Sequence, residues 1–121
     1  MKILIADDDT TFRLLLAAEL RGAGCQVEFA SDAMQTIMYA RRGTPDIIVL
    51  DVRMPGGTGV DALKKLKAST KTAGIPVLVV SGSTEEGIDR TMLALGAARF
   101  VRKPVDPATL VSELSAVCRA A

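Results

Sequence analysis

Five short apolar runs punctuate the chain, at residues 3–6, 27–30, 47–50, 77–80 and 100–101. Each is rich in β-branched or aromatic residues and is bounded by charged or turn-forming ones. Apolarity that is mostly continuous rather than alternating belongs to strands covered on both faces, as in a parallel sheet between helices. Only the second run, interrupted by Glu28, reads as an edge strand.

Helical spacing fills the gaps. Phe12, Leu15, Leu16 and Leu20 fall at i, i+3, i+4 and i+8, one stripe of a helix that stops at Gly22 or Gly24. Ser31 or Asp32 caps a second helix, with Ala33 and Ile37 inward and an end near Gly43. Thr58 and Asp61 open a third, with Val60, Leu63 and Leu66 inward. Ser83-x-x-Glu86 reads as a capping box for a fourth, with Ile88, Met92 and Leu95 inward and Gly96 as its stop. Asp106 followed by Pro107 caps a fifth, with Leu110, Leu114 and Val117 inward. The expected architecture is α/β, a (βα)5 doubly wound five-stranded parallel sheet with helices on both faces, in one domain over residues 1–121. In such a sheet a ligand binds beyond the carboxyl ends of the strands, where the strand order reverses.

Composition narrows the class. A folded chain of 12.7 kDa is expected to expose roughly 6,000 Å², which leaves enough buried surface for one core. Fifteen basic residues against fourteen acidic give a net charge of +1, so no overall field draws the chain to nucleic acid or to an acidic membrane. No apolar run approaches the ~18 residues of a membrane helix. The first stretch turns acidic at Asp7, too soon for a signal peptide. There is no histidine, which excludes Ser-His-Asp triads, Cys-His pairs and ordinary zinc sites. Three Phe and one Tyr leave little for a base-stacking platform. Cys25 and Cys118 lack CxxC spacing and read as buried thiols of a cytoplasmic protein. Lys64, Lys65, Lys67 and Lys71 read as a solvated basic patch near the end of the third helix.

Chemistry gathers where the strands end. The first run leads into Asp7-Asp8-Asp9, the third into Asp51, the fourth into Ser81-Gly82, and the fifth is followed by Lys103-Pro104. Each has a bland reading: Asp9 can cap a helix, Asp51 can be a turn residue, Ser81 a loop hydroxyl and Lys103 a solvated amine. Those readings must all hold at once to dismiss the pattern. Three carboxylates sharing one pocket repel, and a divalent cation resolves the repulsion. Oxygen-only ligands without His or Cys select a hard ion, Mg2+ or its substitute Mn2+. With Asp7 and Asp8 holding the cation, Asp51 is an anionic oxygen nucleophile beside it, arranged to accept a phosphoryl group. Lys103 can neutralise one outer oxygen of that group, and Ser81 can hydrogen-bond another. Gly82 leaves the approach unobstructed.

Taken together, Asp7-Asp8, Asp51-x-x-Met54-Pro55-x-x-x-Gly59, Ser81-Gly82 and Lys103-Pro104 resemble the response-regulator receiver domain of two-component signalling, over nearly the whole chain. The resemblance implies a flavodoxin-like strand order of 2-1-3-4-5. It makes Asp51 the phospho-acceptor, Asp8 a direct metal ligand, Asp7 the holder of a metal-bound water and the Arg53 backbone carbonyl a further ligand. Lys103 then contacts the phosphoryl group and, before that, Asp51, and its bond to Pro104 is of the kind that is often cis. Ser81 swings toward the phosphoryl group, Phe100 rotates at an aromatic switch position, and the surface of the fourth helix, fifth strand and fifth helix changes. The implied donor is a sensor histidine kinase or histidine phosphotransfer protein, and the implied output is a downstream protein partner. Apart from accepting and slowly hydrolysing its own phosphoryl group, such a chain is not an enzyme.

This sequence departs from the family pattern in several places. Ser81 stands where Thr is commoner, Val105 where Phe is frequent, and Asp9 is an extra acid. Arg53 lies at a position that influences dephosphorylation speed, and the loop Gly56-Gly57-Thr58-Gly59 is expected to be mobile. Two other readings compete. Asp7-x-Asp9-x-Thr11 also fits a haloacid-dehalogenase-like phosphatase, with Asp7 as nucleophile and Asp9 as general acid. That reading leaves Asp51 and Met54-Pro55 unexplained, and the later acidic pair it needs has only Asp106 and Glu113 to draw on, both in the fifth helix. A pseudo-receiver acting purely as an interaction module should lack an acid, the acceptor or the lysine, and all are present.

Overall fold

Local signals decide where each element begins. Asp9 caps the first helix by accepting from Phe12 N, Asp32 caps the second by accepting from Gln35 N, and Thr58 caps the third by accepting from Asp61 N. Asp106 accepts from Thr109 N at 2.9 Å ahead of the fifth. The computed structural model describes residues 1–54 and 57–120. Its elements are β1 (Lys2–Ala6), α1 (Thr10–Gly22), β2 (Gln26–Ala30), α2 (Ala33–Gly43), β3 (Ile47–Asp51), α3 (Gly59–Ala68), β4 (Val77–Ser81), α4 (Ile88–Ala94), β5 (Arg99–Arg102) and α5 (Pro107–Ala120). Arg53–Met54 and Gly57–Thr58 pair antiparallel as a short ribbon between β3 and α3. Of the loop expected to be mobile, Gly57 and Thr58 are thus paired. Gly56 and the Pro55 of the motif lie outside the described residues.

The five main strands are parallel in the order β2-β1-β3-β4-β5, the 2-1-3-4-5 order implied by the resemblance. Alternate strand residues feed two cores. Leu4, Ile48, Leu50, Val77 and Val79 face α2, α3 and α4. Ile3, Ile5, Val49, Leu78 and Val80 face Leu16 and Leu20 of α1 and Leu110 and Leu114 of α5. The exposed surface is 6170 Å², close to the size-based expectation. No helix among the described residues is long and apolar enough to cross a membrane.

Several local expectations are corrected. Leu15 does not face inward: it is 55% exposed, and Ala17 is buried with Leu16 and Leu20 instead. Successive helical residues are about 100° apart, and the small Ala17 rather than Leu15 shares the sheet-facing arc with Leu16. The Ser83–Glu86 capping box does not form. The Ser83 hydroxyl accepts from Glu85 N at 3.2 Å in a local turn, and α4 starts later, at Ile88, capped by Gly87, whose φ of 78° suits glycine. The fourth helix is consequently only seven residues long, although Ile88 and Met92 are buried as expected.

The single-edge expectation also fails, because β5 forms the second edge of the sheet. Its short run hid this: Arg99 and Arg102 flank it and are exposed. Lys67 is not a solvated member of a basic patch. Its Nζ donates to Ala73 O at 3.0 Å and Ile75 O at 2.9 Å, tying down the lead into β4, and burial lowers its pKa. Cys25 and Cys118 are free thiols as expected, but half-buried rather than buried, because each lies at the rim of the α1/α5 core rather than within it.

Candidate functional site

The carboxyl ends of β1, β3 and β4, together with the residue after β5, build one crevice. Asp7 follows β1 directly and keeps the sheet going, donating its N–H to Ala30 O at 3.1 Å. Its side chain is buried at 1% exposure. Its Oδ1 accepts from Asp9 N at 2.9 Å, and its Oδ2 accepts from Lys103 Nζ at 2.8 Å. Asp51 is the last residue of β3 and is also buried. Its Oδ1 accepts from Arg53 N at 3.3 Å, and its Oδ2 lies 3.9 Å from Lys103 Nζ. Asp8 stands exposed on the rim. One carboxylate oxygen from each of Asp7, Asp8 and Asp51 lies within 4.8 Å of the others. Lys103 is set by its backbone, whose N–H donates to Ser81 O at 2.9 Å, and its bond to Pro104 is cis.

The charge balance of this crevice is one-sided. Three carboxylates face one ammonium that spans two of them. Burial, then the neighbouring Asp7 carboxylate, push the Asp51 carboxyl from 3.8 up to about 6, against the pull of Lys103 and the Arg53 N–H. Lys103 sits closer to Asp7 than to Asp51, a difference from the expected Asp51 contact. The buried Asp7 takes the ammonium, while Asp51 shares its other oxygen with a backbone donor. An all-oxygen donor set with surplus negative charge fits a hard divalent cation such as Mg2+.

The remaining expected residues surround this centre. Ser81 ends β4, is 1% exposed, and its Oγ accepts from Ser83 N at 3.0 Å. A methyl group at Gly82 would rest 3.9 Å from Lys103 Cβ, an ordinary contact, so the folded chain does not itself demand glycine there. Phe100 lies on β5, half-buried against the α2/α3/α4 core, with the Arg102 guanidinium 5.3 Å from its ring centroid. The Arg53 side chain is exposed. Asp9 is spent on capping: its Oδ1 accepts from Phe12 N at 3.1 Å. That use weakens the phosphatase reading, which needs Asp9 as a free general acid.

Four residues of the site were not identified as such from sequence. In the sequence Gly59 stands out only as part of a motif. A side chain there would run into Asp51 O and come within 2.7 Å of Val52 Cα, while its N–H donates to Val52 O at 2.6 Å. Glycine therefore lets α3 start hard against the acceptor strand. Arg102 joins β5 to the loop before α4 by donating to Ser83 O at 3.1 Å, and its other nitrogen reaches Asp89 at 4.0 Å. Ser83 is buried and holds the Ser81 hydroxyl. Phe12, read as a core position, carries the Lys103 ammonium 4.4 Å from its ring centroid. Its signal, one apolar residue in a helical stripe, is shared with every core position.

Comparisons with known proteins match the chain over nearly its whole length. The family model described as the response regulator receiver domain matches residues 3–115. Protein PilH of Pseudomonas aeruginosa is 34% identical over 116 residues, 96% of this chain and 96% of that protein. The phosphate regulon transcriptional regulatory protein PhoB of the same organism is 33% identical over 97% of this chain but 51% of its own length. The chain thus spans about half the length of several curated relatives and nearly all of PilH. Among solved structures, the chemotaxis response regulator CheY4 of Vibrio cholerae aligns with a TM-score of 0.88 at 30% identity, covering 96% of this chain and 97% of that one. A response regulator from Chloroflexus aurantiacus aligns at 0.90 with 27% identity, over 98% and 97%.

Proposed function

Because the chain belongs to the response-regulator receiver family, we propose that it is a phosphorylation-dependent signalling switch with Asp51 as the phosphoryl acceptor. The observation that carries this reading is the convergence of Asp7, Asp8 and Asp51 within 4.8 Å, with Lys103 Nζ 2.8 Å from Asp7 and 3.9 Å from Asp51. Asp7, Asp8, Asp51 and the Arg53 carbonyl are the groups that would hold Mg2+ or Mn2+. When bound, the cation offsets the negative charge of the carboxylates and of the incoming phosphoryl group.

The chain's own residues supply the rest. Asp51 offers an oxygen that is mostly ionised at neutral pH, so no base is required. A phosphohistidine of a sensor kinase or phosphotransfer protein gives up its phosphoryl group as the P–N bond breaks and a P–O bond forms to Asp51. Lys103 moves its ammonium from the Asp7–Asp51 bridge to a phosphoryl oxygen. The Ser81 hydroxyl leaves Ser83 N and turns to another oxygen, which makes room for Phe100 to rotate inward. Arg102, which contacts Phe100, Ser83 and Asp89, passes the change to α4 and the outer edge of β5. A downstream protein reads that α4–β5–α5 surface, and the phosphoryl group acts by biasing two arrangements rather than creating one.

Acetyl phosphate with Mg2+, followed by peptide mass spectrometry, tests the reading. The label is expected on Asp51, absent in a folded Asp51→Ala variant and strongly reduced in Asp8→Ala. A label on Asp7, undiminished labelling of Asp51→Ala, or labelling that persists in a chelator would overturn it.

A further inference from the structure

We propose that Phe12 is a positioning residue for Lys103, its ring forming the wall that keeps the ammonium over the acidic crevice. The inference deepens the reading of Asp51 as acceptor and rests on it. The Lys103 side chain is only 20% exposed, and its Nζ meets three things: Asp7 Oδ2 at 2.8 Å, Asp51 Oδ2 at 3.9 Å and the face of Phe12 at 4.4 Å from the centroid. A cation on an aromatic face is held by the ring quadrupole, and most strongly where water is excluded.

A closed circuit of contacts ties Phe12 to the crevice. Asp9 N donates to Asp7 Oδ1 at 2.9 Å, Phe12 N donates to Asp9 Oδ1 at 3.1 Å, the Phe12 ring faces Lys103, and Lys103 donates to Asp7 Oδ2 at 2.8 Å. The extra acid at position 9 thereby gains a purpose. It caps α1 and, in doing so, sets the residue that contacts the lysine. An aliphatic side chain at position 12 could fill the same part of the α1/α5 core but would hold no cation. The lysine would then lose its bias toward the two carboxylates, and a phosphoryl group arriving on Asp51 would meet a less organised ammonium.

The test pairs a contact readout with a rate. In the unmodified protein, NMR should place the Lys103 side-chain methylene protons upfield through the ring current of Phe12, with the shift lost in Phe12→Leu and kept in Phe12→Tyr. The rate of labelling by acetyl phosphate with Mg2+ should fall about three- to tenfold in Phe12→Leu, the equivalent of one cation–π contact, and stay near the parental rate in Phe12→Tyr. In a Lys103→Ala background, Phe12→Leu should cause no further loss. An unshifted Lys103 methylene, a parental rate in Phe12→Leu, or an equal loss in the Lys103→Ala background would overturn the assignment. If the parent is not labelled on Asp51 at all, the acceptor reading fails instead, and the methylene shift alone still decides the contact.

Discussion

Asp51 is held in the folded chain at a cost. Its carboxyl is ordinarily half-ionised at 3.8, and here at about 6, through burial and the nearby Asp7. Below 3.8 it is protonated both folded and unfolded, so it costs nothing. As pH rises from 3.8 through about 6 the unfolded chain ionises freely and the folded one resists, so stability is lost across that window and stays lost above it. The full difference corresponds to roughly 3 kcal/mol, and partial access of water to the crevice reduces it to about 1–2 kcal/mol. Asp51→Asn is therefore expected to stabilise the protein by about 1–2 kcal/mol at pH 7 without divalent ions, and by almost nothing near pH 3.5. Urea denaturation at the two pH values in a chelating buffer checks this, and equal effects at both would contradict it. At this scale the sequence was most legible where residue type is itself the chemistry. Asp7, Asp8, Asp51, Ser81 and Lys103 could be named because, although each alone has an ordinary use, those uses would all have to hold at once across four strand ends. Phe12 could not, because a ring against a cation and a ring in a core present the same letter.

Elements were legible in proportion to the local chemistry of their ends. Asp9, Asp32, Thr58 and Asp106 each accept a backbone N–H where a helix begins. Two of those starts, at Thr58 and Asp106, are legible to a single residue, the second helix is legible only to Ser31 or Asp32, and for Asp9 capping is one of two open readings. The fourth helix went wrong because Ser83 has a stronger local option, a turn to Glu85 N, and because a glycine in the left-handed region at Gly87 leaves no polar signature. The ribbon of Arg53–Met54 with Gly57–Thr58 was not expected, two residues being too few to carry a strand pattern. The junction of β3 and α3 is the most demanding contact between elements. Gly59→Ala would push a methyl group into Asp51 O and Val52 Cα, backbone atoms with no flexible side chain to yield. The expected cost is about 2–3 kcal/mol, together with slower labelling of Asp51 as the acceptor strand end shifts. Thermal denaturation and the acetyl phosphate assay read the two effects. A variant with unchanged midpoint and rate would show that the junction accommodates a side chain.

For the molecule as a whole, the parallel sheet followed from runs that are apolar on both faces, but the strand order did not. Nothing in the runs says that β1 lies between β2 and β3, and that order came from the resemblance. The two faces are unequal partners of the site. The α2/α3/α4 core carries Leu50 beside the acceptor and Phe100 on β5, whereas the α1/α5 core carries Phe12 against the lysine. Leu114, 1% exposed between α5 and the sheet, should therefore affect folding rather than chemistry. Leu114→Ala is expected to lower stability by about 2–5 kcal/mol while the labelling rate of the remaining folded protein stays unchanged, as equilibrium denaturation and a rate per folded molecule would show.

The Lys103 ammonium in the crevice comes 96 residues after the aspartate it grips. During synthesis all three acids are therefore made before their counter-charge. A nascent chain halted short of β5 would carry mutually repelling acids with no ammonium among them, so the pocket cannot settle until the last strand has docked.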